Sequence, residues 1–243
     1  MIPAAAPTRV RERLAAAADG PRQVLHASST AIYVDLDGLC LGLVSADATR
    51  VPCALWTTIP DLTGLARHGV RVGAGTLHVG PEEVRITRVA DVSAPTLGPR
   101  SPGGCERARC ITSSAGLDLP ADGRLTTAHL DRLLGRGPGL TPLGDDVLAG
   151  WFAARIAAGR PDQSLAAAVR SRLAVTTLLS ATLLDCALRG EVLPELGDWL
   201  ARPTQETAEA LMAVGATSGA GMLAGADLAL ISTTDHDHPG RAA

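Results

Sequence analysis

Between Gln23 and Ser45 the chain reads QVLHASSTAIYVDLDGLCLGLVS, in which apolar and polar residues alternate in places and β-branched residues are frequent. A period of two belongs to strands with one buried face, so this stretch predicts strands, with Asp35-Leu36-Asp37-Gly38 as a turn between two of them. RVPCALWTT, GVRVGAGTLHVG and EEVRITRVADVSA add strand candidates at short intervals, separated by glycine and proline. Ahead of them, Ala4 to Ala18 reads as a short helix with Val10 and Leu14 on one side, stopped by Asp19-Gly20-Pro21. The N-terminal expectation is therefore an extension over residues 1–21 and an antiparallel β domain, a small barrel or sandwich, over 22–96.

Residues 97–117 gather Pro99, Pro102, Gly103 and Gly104 with polar side chains, the composition of a linker or exposed loop. From Asp118 the period becomes helical. TTAHLDRLLGRG sets Leu130, Leu133 and Leu134 inward on one short helix, and Leu143 to Ala158 forms a second, closed by Gly159. Ser164 to Leu188 supplies one long helix or two packed ones, Glu191 to Leu200 another, and Thr204 and Ser218 open two more. About six helices thus make an all-helical bundle over 118–232, and the fold class is α+β with the β domain first. Residues 233–243, TTDHDHPGRAA, read as a disordered tail. Asp235, His236, Asp237 and His238 are metal-ligand types, but a run of them on a tail does not build a site.

Composition narrows the classes of function. A chain of 243 residues that is 46% hydrophobic has ample material for a core. Residues 1–117 carry 12 Arg against 10 acids and 118–243 carry 10 Arg against 15, which fits two differently built halves. All the basic residues are arginine, a bias shared with the abundance of Ala and Gly and attributed to codon usage. No basic stripe appears and aromatic residues are few, so nucleic-acid binding is not expected. Cys40, Cys53, Cys105, Cys110 and Cys186 form no CxxC pair, and a reducing cytoplasm is the expected setting. Residues 1–20 lack the apolar core of a signal peptide. The longest apolar run, Leu173 to Leu188, is broken by Asp185 and falls short of a membrane span.

Candidate chemistry concentrates in GRGPGLTPLGDD, Gly135 to Asp146, at the mouth of the second helix. Thr141 has the side chain of an N-cap and Pro142 suits the first helical position, so backbone N–H groups from Gly137 to Gly144 are expected to face a ligand. Gly139 and Gly144 have the spacing of a phosphate loop, but Asp145 and Asp146 stand where Lys and Ser or Thr would be needed. Two functional readings remain: a helix-start site for a small anion with the acids in support, or a carboxylate site for Mg²⁺ on Asp145 and Asp146. A tight loop whose acids merely favour the helix dipole is the structural alternative.

A second junction, Thr217-Ser218-Gly219, repeats the pattern of small polar residues opening an apolar helix, while Gly221 and Gly225 read as helix packing. Thr176 and Ser180, four apart, are expected on one helical face with Thr177 beside them, where hydroxyls either line a pocket or bond back to helix carbonyls. Asp185 is expected at the surface; buried, it would need Arg172 or Arg189 nearby. His26, beside Ser28 and Ser29 at the start of the first strand, is a weaker candidate placed to reach a domain interface.

GRGPGLTPLGDDVLAG, TTLLSATLLDCALRG and AVGATSGAGMLAG resemble, in order, the signature segments of a bacterial family of undefined domains that includes the H subunit of allantoin-pathway oxamate carbamoyltransferase. VLHASSTAIYVDLDG is similar to that family's opening β segment, so the resemblance spans about residues 23 to 231. It departs at Leu143, where a small polar residue is usual. The resemblance implies a subunit that works with partner subunits, passing a carbamoyl group between carbamoyl phosphate and oxamate or a related small acid. Arg136, Gly137, Gly139, Thr141 and Gly144 would then hold the phosphate or carboxylate. No converging set of arginines is evident, so partners are expected to supply much of the site. The competing reading is a noncatalytic assembly or ligand-sensing protein.

Overall fold

The computed structural model describes residues 1–97 and 106–234. They fall into two compact units, Met1–Val92 and Ser93–Ala243.

The first unit contains β1 (Ile2–Pro7), α1 (Thr8–Ala16), β2 (Gly20–Arg22), β3 (Val24–Ala27), β4 (Ala31–Asp35), β5 (Cys40–Val44), β6 (Ala54–Thr57), β7 (Val70–Gly73), β8 (Thr76–Val79) and β9 (Glu82–Ala90). One nine-stranded sheet runs in the order β2-β7-β8-β9-β1-β6-β5-β4-β3 and curls into a nearly closed barrel. Its two outermost strands are neighbours in the chain, with Gln23 between them. Most pairings are antiparallel, as the short intervals between strands require, but β1 with β9 and β5 with β6 run parallel.

The segment before Thr8 corrects the expected helix over Ala4–Ala18. Proline disfavours helical backbone in the residue before it, so Pro3 and Pro7 hold Ile2 and Ala6 extended, and Ile2–Pro7 pairs between β9 and β6. Helix α1 starts only after Pro7 and buries Val10 and Leu14, the two residues expected inward. The Asp35–Gly38 turn is a tight hairpin: Asp37 and Gly38 both have positive φ, 55° and 82°, and Asp35 Oδ1 accepts the Gly38 N–H at 2.7 Å.

The second unit contains α2 (Glu106–Ser114), α3 (Thr127–Leu133), α4 (Leu143–Ala157), α5 (Gln163–Arg170), α6 (Leu178–Ala187), α7 (Pro194–Ala201), α8 (Gln205–Met212) and α9 (Ser218–Thr234), with a 3-10 turn at Leu173–Val175. The eight α-helices among the described residues exceed the six expected for two reasons. One is that α2 forms within the stretch read as a linker. The other is that Ser164–Leu188 divides into α5, the turn and α6, because the branched run Val175-Thr176-Thr177 resists helix and Thr177 caps α6. The Ala94 N–H donates to the Gly190 carbonyl and the Leu97 N–H to the Ala157 carbonyl, so the chain from Ser93 is already part of the helical unit.

Helices α4 and α9 are apolar all round, the pattern of central helices, and nearly every residue of α4 is buried. Their backbones touch. A Cβ at position 150 would overlap the Met222 carbonyl, and one at 225 would overlap the Val147 carbonyl. The packing reading of Gly225 is thereby met, and Gly150 plays the same part from the other helix. Among the described residues no helix is long and apolar enough to cross a membrane. Asp235, His236, Asp237, His238, most of the expected tail and Cys105 lie outside the described residues.

Candidate functional site

The first turn of α4 is where the chemistry-bearing residues assemble. Pro142 has an extended ψ of 137° and is itself the N-cap, so the helix begins one residue later than Thr141 and Pro142 suggest. The Thr141 hydroxyl caps nothing. It lies 2.8 Å from the Ser218 hydroxyl at the head of α9. The N–H groups of this start are largely committed within the protein: Gly144 donates to the Arg136 carbonyl at 2.9 Å, and Asp145 and Asp146 donate to the Pro142 carbonyl. Of the N–H groups expected to face a ligand, that of Gly144 is therefore turned inward.

Asp145 points to one side of the turn and is buried. Its Oδ1 accepts the Gly135 N–H at 2.7 Å, and its Oδ2 accepts the hydroxyls of Thr176 at 2.5 Å and Ser180 at 2.7 Å. The two hydroxyls therefore reach across to α4 instead of bonding back to their own helix, and Thr176 does so from extended backbone ahead of α6. Thr177, the N-cap of α6, accepts the Ser180 N–H and donates its hydroxyl to the Leu140 carbonyl. Together they clamp the glycine loop onto α6. Gly137 sits in this loop with φ of 119° and its α-carbon close against the Leu143 backbone, where any side chain would clash. Arg136, Gly137, Pro138 and Gly139 are exposed above it.

Residues 133–230, which contain this whole arrangement, match the family model of the oxamate carbamoyltransferase subunit AllH. Over that stretch the chain is similar to the AllH family. No curated protein and no solved structure matches the chain.

On the other side of the AllH-like helix start, Asp146 faces α9. It is 5% exposed and its Oδ2 has no hydrogen-bond partner among the described residues. Burial pushes its pKa up to about 8; the Ser218 hydroxyl opposes the shift and the Asp145 charge adds to it. Burial thus favours the protonated form of Asp146, while Asp145 accepts from three donors. Leu143, the departure from the family pattern, is buried with its side chain against Gly221. Gly144 and Gly219 are fixed by close approach, since a Cβ there would overlap the carbonyls of Leu133 and Leu211, and the Gly219 N–H donates to the Val214 carbonyl at 3.0 Å. Thr217 is exposed, and its carbonyl accepts the Gly221 N–H.

The candidates thus divide into two sets at one helix start. Asp145, Thr176 and Ser180 join on the α6 side, and Thr141, Asp146 and Ser218 on the α9 side. The surroundings of both carboxylates are those of hydrogen-bonding groups. Asp145 already accepts one N–H on Oδ1 and two hydroxyls on Oδ2, and burial favours the neutral form of Asp146. No group of three or more His, Cys, Asp or Glu side chains with metal-binding geometry occurs among the described residues. His26 belongs to the β unit, half-buried with its ring 6.3 Å from that of Tyr33.

Two features escaped the sequence reading. Asp185 is buried and not at the surface; Arg189, one of the two partners named for that case, lies 3.3 Å away, but the second is Arg170 at 3.7 Å, while Arg172 lies by Asp131. Three arginines, Arg124, Arg155 and Arg160, also converge on one cleft. Only the Gly159 helix stop between Arg155 and Arg160 hinted at this, and nothing in the spacing marked Arg124.

Proposed function

We propose that the chain is a subunit of an oxamate-carbamoyltransferase-like enzyme in which Thr141, Asp146 and Ser218 meet a small anionic substrate at the paired starts of α4 and α9. The match of residues 133–230 to an oxamate carbamoyltransferase subunit supports the reaction class and the need for partner subunits. The observation that carries the site is the buried Asp146, its pKa raised by burial, with an unpartnered oxygen beside two hydroxyls. A neutral carboxyl donates a hydrogen bond to an oxyanion where an ionised one would repel it. Carbamoyl transfer develops negative charge on the carbamoyl oxygen and on the departing phosphate, and this donor with two hydroxyls is suited to either. Asp145 positions the loop and takes no part in proton transfer.

Oxamate titrated calorimetrically into the protein tests the reading. Asp146→Ala and Ser218→Ala each weaken binding roughly tenfold, the worth of one hydrogen bond to a charged group. Wild-type affinity falls as pH rises past about 8, when Asp146 ionises, and Asp146→Asn removes that fall while still binding. Equal affinity in all variants at every pH places the ligand elsewhere. That outcome favours the assembly role.

A further inference from the structure

Cys40 and Cys53 meet in the barrel unit. Cys40 opens β5 opposite Asp35, and Cys53 stands directly ahead of β6, which runs parallel to β5. The Gly42 N–H donates to the Cys53 carbonyl at 3.0 Å, so the two segments are already joined there through the backbone. Neighbouring strands lie about 4.8 Å apart, inside the span of about 4.4–6.8 Å between α-carbons that a disulfide bridges. The Cys53 side chain hydrogen-bonds that of Cys40, both residues are buried, and neither is in a disulfide.

Tyr33 closes over the pair. It faces Gly42 across β4 and β5, and a Cβ on Gly42 would come within 2.8 Å of its ring and of Ala54. The missing side chain lets the ring sit against β5. Burial, then Cys53 and Cys40, push the Tyr33 phenol up, which sets that ring beside both sulfurs. Buried cysteine commonly packs as a small apolar residue, a role in which two sulfurs have no need to touch. Here they do.

We propose that Cys40 and Cys53 are a redox-responsive pair, which a small peroxide converts into a disulfide tying β5 to β6. Each cysteine is only 2% exposed, which shuts out bulky oxidants and leaves a molecule the size of hydrogen peroxide. The hydrogen bond to Cys40, and burial after it, push the Cys53 thiol up, so Cys40 is the sulfur that reacts first. Its thiolate attacks one peroxide oxygen, the O–O bond breaks, and the expelled hydroxide takes up a proton as water, leaving a sulfenic acid on Cys40. The Cys53 sulfur then attacks the Cys40 sulfur, the S–O bond breaks, and water departs with the Cys53 proton. Two electrons pass from the sulfurs to the peroxide, which ends as two waters.

Hydrogen peroxide added to the whole folded protein, followed by blocking of free thiols and trypsin digestion without reduction, tests the proposal. Cleavage at Arg22, Arg50 and Arg67 puts Cys40 in residues 23–50 and Cys53 in residues 51–67. At a dose that oxidises the exposed Cys110, these peptides are expected to be linked, two hydrogens lighter than their sum, and to separate after dithiothreitol. Cys53→Ser is expected to stop at the sulfenic acid, which dimedone labels on Cys40, and Cys110→Ser to leave the link unchanged. Should Cys53→Ser fail to fold, the wild-type link decides alone. The proposal is overturned if the folded wild type keeps the two peptides separate with blocked thiols while Cys110 is oxidised, or if the link forms only in urea. Both residues belong to Met1–Val92, so neither result bears on the α4–α9 reading.

Discussion

Asp145 and Asp146 are neighbours in the chain, equally acidic as free side chains, and meet opposite surroundings. Three donors close on Asp145, while Asp146 turns about a hundred degrees around the helix into a space that offers it little beyond Ser218. The difference has a consequence for stability. The folded carboxyl of Asp146 keeps its proton up to about pH 8, whereas an unfolded one releases it near 3.8. Between those values the native state binds more protons, so this residue makes stability fall as pH rises. Urea unfolding at pH 5 and pH 7.5 is expected to show the wild type losing stability relative to Asp146→Asn; parallel behaviour of the two proteins refutes the raised pKa. The carboxylate pair was legible in the sequence as a candidate. Its division of labour was not, because it depends on Thr176, Ser180 and Ser218, which lie 31, 35 and about seventy residues further on. The same distance hid the true partner of Thr141, whose hydroxyl was read as a local cap and instead reaches Ser218.

Among the elements, α4 and α9 decide the site because their starts lie side by side, and glycine sets how closely they pack. Gly225→Ala gains about 1 kcal/mol of helix propensity but drives a Cβ into the Val147 carbonyl, and overpacking of that kind costs about 1–3 kcal/mol or more. The expected result is a net loss of about 2 kcal/mol. Gly197→Ala in α7 meets only Val192 at 3.6 Å, ordinary contact, and is expected to stabilise by up to about 1 kcal/mol. Thermal unfolding of the two variants checks the contrast, and equal shifts contradict the packing account. Most helices were legible from period and glycine stops, as in α4, which ends before Gly159 as read. The extended Ile2–Pro7 was misread because alanine content outweighed the prolines that flank it, and α2 because glycine and proline ahead of it suggested a continuous loop.

At the scale of the whole molecule, the chain joins a nearly closed barrel to a helical unit whose residues 133–230 are AllH-like. The α+β order was legible because the hydrophobic period changes from two to that of a helix. The arginine cleft was not, since its three members meet only once α4 has turned back at Gly159. Reconstitution with the proteins encoded beside this one, followed by assay of carbamoyl phosphate and oxamate turnover, bears most directly on the central claim. The account predicts turnover by the assembled wild type and a loss of roughly a hundredfold in Asp146→Ala with assembly intact, the scale of one oxyanion donor. Turnover with Asp146→Ala equal to wild type, or none with any set of partners, would contradict it.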